Sequence, residues 1–236
     1  MKKSIAGLLF SVALVSNAEA SIIEVDFNNG DSLADWTVDR SAPDGFEIVN
    51  NELHMTVAGQ LNGNNFYNTQ GMQLDIGHSK FLSIDLYIDS SMAANDGRYG
   101  GLWGVGRDNS DNITAYPILE AQTDAGTIVT DVYDSNIGWA FDTASLVLDA
   151  FNTFSIEITS NGTEYGINGT TVYTDLVSDV SYIGSVILNG YNTLSAQGGY
   201  TARFDNLRYV DVPEPGMLSI FMLGFAGLMA RRYKKA

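Results

Sequence analysis

The chain contains no cysteine and only two histidines in 236 residues. Without cysteine, the chain has no disulfide framework, no thiolate nucleophile and no cysteine-ligated metal. The isolated His54 and His78 do not supply the ligand set of a zinc site. A Gly-x-Ser-x-Gly segment, which would mark one class of serine hydrolase, is also missing. The sequence therefore offers no candidate residues for several common hydrolytic mechanisms.

Positive charge is scarce between the two ends of the chain. Residues 21–211 hold 26 Asp and Glu against six Lys and Arg, which is a net charge of −20 with histidine neutral. Nucleic-acid binding needs a basic surface, so nucleic acid is excluded as a partner. Divalent cations and neutral polymers remain compatible with this charge.

Apolar residues at the spacing of an amphipathic helix are also missing from residues 21–211. In this region the spacing of apolar residues is mostly that of β-strands. The segments 81–89 and 154–160 alternate apolar and polar residues with the period of two expected of half-buried strands. Asn161-Gly162 and Asn168-Gly169 supply hairpin turns, which predict a three-stranded meander. About a dozen short strands predict an all-β, antiparallel β-sandwich of the jelly-roll type. The other predicted strands are 22–27, 46–49, 52–58, 71–76, 100–106, 115–121, 127–133, 183–189 and 200–210.

The N-terminus has the pattern of a secretory signal. Lys2 and Lys3 precede an apolar run, and Ala18-Glu19-Ala20 forms a small-x-small cleavage site. We predict a signal helix over residues 1–20 that signal peptidase removes, so that the β-sandwich domain spans 21–211.

The C-terminal segment 212–236 consists of a short proline-containing stretch, an uncharged run and a cluster of cations, in that order. Residues 217–230 carry no charge, and as a helix they would span about 21 Å, less than the ~30 Å hydrocarbon core of a bilayer. A cationic cluster that includes Arg231 and Arg232 follows, and the positive-inside bias would hold it in the cytoplasm. The pattern predicts a short transmembrane helix. The residues that precede this helix are Val212, Pro213, Glu214 and Pro215.

This tail resembles the PEP-CTERM sorting signal. The resemblance implies recognition by an exosortase, transient anchoring in the inner membrane, removal of the tail, and delivery to the cell surface or extracellular polysaccharide matrix of a Gram-negative bacterium. An ordinary C-terminal membrane anchor is the alternative interpretation.

The central domain resembles the concanavalin A-like lectin/glucanase (LamG-type) sandwich. The residues that carry the resemblance are Val25-Asp26-Phe27 with Trp36, the segment 154–172, and Phe204-Asp205-Asn206-Leu207-Arg208. It implies a structural calcium where the first and last strands meet, with Asp26 and Asp205 as its candidate ligands.

A catalytic pair of carboxylates is not evident along any single strand. Related glycosidases carry Glu-x-Asp-x-x-Glu, and the closest match, which begins at Glu24, ends in Asn29, whose amide cannot donate the proton. Asp85 and Asp89 share a face, but four residues of strand separate them by roughly 13 Å, which exceeds the spacing of glycosidase carboxylates. The sequence therefore predicts that the protein is not an enzyme.

The segment 96–107 is the best candidate for carbohydrate binding. It combines glycines with Arg98, Tyr99, Trp103 and Arg107, whose aromatic faces and donors suit sugar rings and hydroxyls. Trp103 in the core is the alternative interpretation, and Trp36 and Trp139 are expected to be buried.

These patterns lead to one main hypothesis and two alternatives. The main hypothesis is an exported, non-catalytic surface or matrix protein that binds extracellular polysaccharide, with calcium as its only cofactor. The first alternative is a polysaccharide hydrolase or lyase whose acids come from several strands, which requires two facing carboxylates and at least one perturbed pKa. The second alternative is an adhesin or coat subunit that self-associates through exposed strand edges.

Overall fold

The structure is a computed structural model that describes residues 21–59, 66–95, 97–142, 146–192 and 198–211. All of these belong to a single compact unit. The predicted signal helix and the predicted C-terminal helix lie outside the described residues. Within the described ranges, no helix has the length and apolar character needed to span a membrane.

The described residues form sixteen β-strands and two short 3-10 helices, Phe66–Asn68 and Ser90–Ala94. In chain order the strands are β1 Ser21–Val25, β2 Thr37–Arg40, β3 Gly45–Val49, β4 Glu52–Val57, β5 Gln70–Ser79, β6 Phe81–Ile88, β7 Arg98–Arg107, β8 Ile113–Ala115, β9 Ile118–Asp124, β10 Thr127–Asp134, β11 Gly138–Asp142, β12 Ala150–Thr159, β13 Gly162–Ile167, β14 Thr170–Asp175, β15 Tyr182–Asn192 and β16 Tyr200–Asp211.

These strands build two antiparallel sheets of eight strands each. Sheet A has the order β14-β13-β12-β6-β16-β4-β3, and β1 also pairs with β16. Sheet B has the order β11-β10-β9-β7-β15-β5-β2, and β8 also pairs with β7. One main core contains apolar residues from both sheets. The predicted all-β, antiparallel jelly-roll sandwich is confirmed.

The alternating patterns decide which side chains enter this core. On β6, Leu82, Ile84, Leu86 and Ile88 are all at most 3% exposed. Fully burying an aliphatic side chain of this size contributes about 1.5–3 kcal/mol, which fixes the strand's register because a one-residue slip would expose all four. The predicted meander is present as β12, β13 and β14.

Sheet B buries apolar side chains on both of its faces. On β7 and β15, Leu102 and Leu188 belong to the main core, whereas Trp103 and Ile187 form a second apolar cluster with residues of neighbouring strands. Because side chains alternate along a strand, this second cluster lies on the outer face of sheet B. Part of the outer face of sheet B is therefore buried, although this face is turned away from the main core.

Candidate functional site

The four residues predicted to bind carbohydrate lie along strand β7. This strand of ten residues spans about 30 Å from Arg98 to Arg107. Tyr99 and Trp103 project from the outer face of sheet B, and Arg98 projects from the opposite face. At the far end of the strand, Arg107 donates a hydrogen bond to the carbonyl of Asp111. Tyr99 and Trp103 thus share a face but lie about 13 Å apart along the strand, and the structure does not gather the four residues into one patch.

Trp103 is buried on this face and contacts two charged residues. Its side chain is 1% exposed, and its indole Nε1 donates a hydrogen bond of 3.1 Å to Oε2 of Glu120. The guanidinium of Arg40 lies 5.0 Å from the centroid of the indole ring. Trp103 therefore fixes the position of the Glu120 carboxyl.

The hairpin of β9 and β10 places Glu120 opposite a second acid. Ala125 and Gly126 form the two-residue turn, with φ values of 48° and 78° that suit a hairpin whose strands twist normally. The resulting register pairs Glu120 directly with Asp131. Side chains in such a cross-strand pair have Cβ atoms about 4.5–5.5 Å apart. Two carboxyl groups thus face the same side of sheet B.

Three further residues extend this pair across the sheet. Gly101 lies opposite Glu120 on β7, Asn189 lies opposite Gly101 on β15, and Gly71 lies opposite Asn189 on β5. Residues paired in this way project from the same face. We call the series Gly71, Asn189, Gly101, Glu120 and Asp131 the polar row. It crosses five adjacent strands at right angles to them.

Burial raises the pKa of Glu120 to about 8. The carboxyl is 1% exposed, and an ionised carboxylate loses its hydration there. The hydrogen bond from Trp103 lowers the pKa, whereas the negative charge of Asp131 raises it further. Glu120 is therefore predominantly protonated at neutral pH.

Burial also raises the pKa of Asp131, to about 6. A hydrogen bond from the Gln122 amide to Oδ2 lowers this pKa, and the charge of Asp124 raises it. Oδ1 of Asp131 is buried and has no hydrogen-bond partner. At neutral pH the polar row thus contains one protonated and one ionised carboxyl group side by side.

Aromatic side chains flank the polar row on both sides. Tyr99 and Tyr191 stack with centroids 4.1 Å apart and planes inclined by 15°. On the other flank, Tyr133 contacts Trp139 edge to face at 5.2 Å. Trp139 is 44% exposed, so the expectation that it is buried is wrong, whereas Trp36 is buried as expected. Trp139 lies on β11, at the edge of sheet B, where no further described strand covers it.

The calcium candidates lie near each other where β1 and β16 pair. Burial raises the pKa of Asp205, and the charges of Asp85, Glu52 and Asp26 add to this effect. Within the described residues, no group of three or more His, Asp or Glu side chains is arranged to hold a metal. Calcium takes six to eight oxygen ligands, so main-chain carbonyls and water would have to supply most of them. Calcium at Asp26 and Asp205 stays a prediction.

The C-terminal segment matches a known sorting motif. Residues 211–235 fit the model of the PEP-CTERM protein-sorting motif. The C-terminus is a PEP-CTERM signal. The motif implies export, recognition by an exosortase and transient anchoring in the membrane before processing. The prediction of this motif is confirmed, although its residues from Val212 onward lie outside the described residues.

The central domain is similar in fold to several glucanases. A search of curated proteins found no match. The β-glucanase of Bacillus licheniformis aligns with a TM-score of 0.54 and 11% identity over 82% of this chain and 98% of its own. The laminarinase catalytic domains of Thermotoga petrophila and Thermotoga maritima align with TM-scores of 0.57 and 0.58, at 14% and 13% identity, over 83% and 82% of this chain and 99% of each of theirs. The lectin/glucanase resemblance of the central domain is confirmed at the level of fold.

This comparison contradicts our prediction that the protein is not an enzyme, because the solved structures described above are glucanases. The pair Glu120 and Asp131 spans two strands, so a pattern along one strand does not reveal it. The sequence does contain the relevant signals. Glu120, Gln122 and Asp124 alternate on one strand, and Ala125-Gly126 is a two-residue turn that fixes the pairing of Glu120 with Asp131.

Proposed function

We propose that the domain is an exported, endo-acting glycoside hydrolase that cleaves a neutral, β-linked polysaccharide, with Glu120 as the general acid and Asp131 as the nucleophile. The buried cross-strand pair of carboxyl groups with pKa values of about 8 and about 6 is the observation that carries this proposal. Paired carboxyls whose environments separate their pKa values are typical of acid and base assignments in enzymes.

The direct cross-strand pairing of the two acids, whose Cβ atoms lie about 4.5–5.5 Å apart in such a pair, is compatible with a retaining mechanism. Glycosidases that retain the anomeric configuration hold their two carboxyls about 5–5.5 Å apart, whereas inverting enzymes need roughly 6.5–9.5 Å for an intervening water. Glu120 and Asp131 are directly opposed neighbours in the sheet. The other acid on β9, Asp124, lies about 13 Å along the strand from Glu120 and fits this role less well.

Each carboxyl then has a defined task. Asp131 attacks the anomeric carbon, and Glu120 protonates the departing glycosidic oxygen, so that a glycosyl–Asp131 ester forms and the first product leaves. Glu120, now ionised, takes a proton from water, whose oxygen attacks the anomeric carbon and releases Asp131. Both carboxyls return to their starting states. Trp103 positions the acid throughout, through its hydrogen bond to Oε2.

The charge of the domain and its neighbours in fold support this substrate class. A net charge of −20 over residues 21–211 repels acidic polymers such as uronate-rich chains, which disfavours a lyase acting on them. Similar solved structures include an endo-1,3-β-glucanase and a β-1,3-1,4-glucanase. A neutral β-glucan is therefore the first substrate to test.

Substrate binding in this proposal requires movement at the outer face of sheet B. Glu120 is 1% exposed and Asp131 is 3% exposed, so a sugar reaches them only after covering side chains move aside. Tyr99 and Tyr191 flank the polar row and have the flat faces on which sugar rings pack. Their displacement would open the row from that side.

The deciding experiment measures reducing-end release from laminarin and from mixed-linkage β-1,3-1,4-glucan by the full-length chain. We expect activity in the unmodified protein and a loss of about 10²–10⁴-fold in Glu120→Gln, the range that a general acid contributes. Proton NMR of the first products should show the β-anomer, since the mechanism retains configuration. A matched control is Glu157→Gln, which changes an exposed carboxylate on sheet A and should leave the rate unchanged.

Absence of release from both glucans between pH 5 and 9, or full activity in Glu120→Gln, would contradict the proposal. Initial formation of the α-anomer would contradict the assignment of Asp131 as nucleophile. Circular dichroism of each variant separates a lost catalytic group from a lost fold.

The place of action is part of the same proposal. The PEP-CTERM motif supports action at the outer surface or in the polysaccharide matrix of a Gram-negative cell. Intact-mass measurement of the protein recovered from the cell surface tests this, because a mass that still includes Arg231 and Arg232 would mean that the tail is retained. The proposal also includes a structural calcium. If it binds, adding calcium should raise the Tm of the unmodified protein, and Asp205→Asn should abolish this rise.

A further inference from the structure

Asn189 has a fully buried side chain with unused hydrogen-bonding capacity. It is 0% exposed, and neither Oδ1 nor Nδ2 has a hydrogen-bond partner. A primary amide offers two donors and two acceptors, and buried polar groups in folded proteins are nearly always satisfied. A fully buried amide without hydrogen-bond partners destabilises the folded protein when no ligand is bound. It is suited to a partner that arrives from outside.

The positions beside Asn189 hold glycine on both sides. Gly71 on β5 and Gly101 on β7 are its two cross-strand neighbours. A Cβ on Gly71 would lie 3.3 Å from the Cβ of Asn189, and a Cβ on Gly101 would lie 2.4 Å from the Cβ of Glu120. No side chain therefore stands directly next to the amide within the polar row. Because Asn189 is 0% exposed, a ligand reaches this amide only after the side chains that cover it move aside.

A second buried asparagine shows how this fold treats a structural amide. Asn152 is also 0% exposed, but its Oδ1 accepts from the Val147 amide and from Asn168, at 2.8 and 2.9 Å. Its Nδ2 donates to the carbonyls of Val147 and Ala150 at 2.8 and 3.1 Å. Asn152 fastens a loop to its strand. The contrast indicates that Asn189 serves a different purpose.

We propose that Asn189 is a substrate-binding residue whose carboxamide hydrogen-bonds two adjacent hydroxyls of a neutral sugar unit in the polar row. Each hydroxyl both donates and accepts, which matches the two ends of the amide. Asn189 lies two strands from Glu120, or about 10 Å, beyond reach of the bond that is cleaved. It therefore holds a sugar beside the reacting one. The substrate class rests on the proposed function.

The test compares Asn189→Leu with Asn152→Leu in the full-length chain, each combined with Glu120→Gln so that the ligand is not consumed. Leucine has the shape of asparagine without its polar atoms. Calorimetry measures the affinity for laminarihexaose and for a mixed-linkage β-glucan hexasaccharide, and thermal unfolding gives Tm. We expect Asn189→Leu to weaken binding about tenfold and to keep or raise Tm. Asn152→Leu should lower Tm and leave the affinity unchanged.

Unchanged affinity in Asn189→Leu overturns the proposal, whatever the Tm, because the amide would then serve the fold, for example through an internal water. A fall in Tm as large as that of Asn152→Leu overturns it as well. Failure of the Asn189-containing protein to bind either hexasaccharide does the same. The proposed function is scored separately. If the unmodified chain releases no reducing ends while binding still depends on Asn189, the hydrolase assignment fails and the Asn189 assignment stands.

Discussion

Two acidic sites, one on the outer face of each sheet, differ in how their carboxyl groups are stabilised. On sheet A, Arg203 donates to both carboxylate oxygens of Glu52, at 2.7 and 2.9 Å, and this pairing holds the pKa of Glu52 below its usual range. On sheet B, burial raises the pKa values of Glu120 and Asp131. Glu52 is thus paired with a cation, whereas burial is the largest influence on Glu120 and Asp131. Asp205 shows that sheet A also has a carboxyl whose pKa burial raises.

The ion pair on sheet A stabilises the folded protein, whereas the buried polar groups on sheet B lower its stability. A partly exposed ion pair such as Arg203–Glu52 remains ionised at neutral pH and adds modestly to stability. A buried carboxyl and an unsatisfied amide such as Asn189 lower stability, because their hydration is lost without full replacement. Buried groups with perturbed pKa values are concentrated at functional sites. The comparison therefore favours sheet B as the working face and sheet A as its support.

The largest expected effect is on the pH dependence of hydrolysis. It tests whether sheet B, rather than sheet A, carries the working residues. In the proposed mechanism Asp131 is ionised when it attacks, which requires a pH above about 6, and Glu120 is protonated, which requires a pH below about 8. We expect kcat/KM on laminarin to be highest between these values and to fall about tenfold per pH unit beyond either one.

Arg203→Met serves as the control for this profile, because Arg203 lies on sheet A. Its profile should keep both limbs at the same pH values. A profile without an alkaline limb near pH 8 would mean that Glu120 is not the acid that the reaction uses.

The pH dependence of stability gives a smaller effect with a definite sign. The folded state holds the proton of Glu120 up to about pH 8, whereas the unfolded chain releases it near the usual value of 4.5. Between these values the folded state binds more protons, so the free energy of unfolding falls as pH rises, by at most about 1.4 kcal/mol per pH unit from this group.

Glu120→Gln removes this contribution. Urea unfolding at pH 5 and pH 8 should therefore show a smaller loss of stability for the variant than for the unmodified chain. Equal losses in the two proteins would show that burial does not perturb Glu120, and the contrast between the sheets would then disappear.

The fold was largely predictable because its core uses regular alternation. The strands 81–89 and 154–160 and the Asn-Gly turns each carry local signals that the structure realises as β6 and the meander of β12 to β14. The strands β2, β8 and β11 were not predicted. Each has five residues or fewer, and their pairing with neighbours decides their structure more than their own pattern does.

The candidate site was less predictable because it depends on strand order. Asn189, Gly101 and Glu120 are far apart in sequence and meet only because β15, β7 and β9 are neighbours in sheet B. No local pattern specifies that order. Trp139 illustrates the same limit, since an aromatic residue in a strand is usually buried and its exposure follows from the edge position of β11.

The smallest expected effect concerns the supporting face. Arg203 pairs with Glu52 and lies 4.0 Å from the centroid of the Tyr87 ring, so Arg203→Met removes a bidentate ion pair and a cation–π contact. Because both side chains of the pair are partly exposed, we expect a loss of only about 1–2 kcal/mol in the free energy of unfolding at pH 7. Hydrolysis should be unaffected.

The matched control is Arg208→Met, which breaks a more exposed pair with Glu24 and should cost a few tenths of a kcal/mol. The part of the Arg203→Met deficit that comes from the ion pair should also disappear in acid. The pKa of Glu52 is lowered in the folded state, so its pairing contributes above the unfolded value of 4.5 and is lost as pH falls through the folded pKa. A deficit that persists undiminished at pH 3 would instead assign the stabilisation to the packing of Arg203 on Tyr87. Sheet A would then be held together by contacts rather than by charge, and the contrast between the two faces would rest on burial alone.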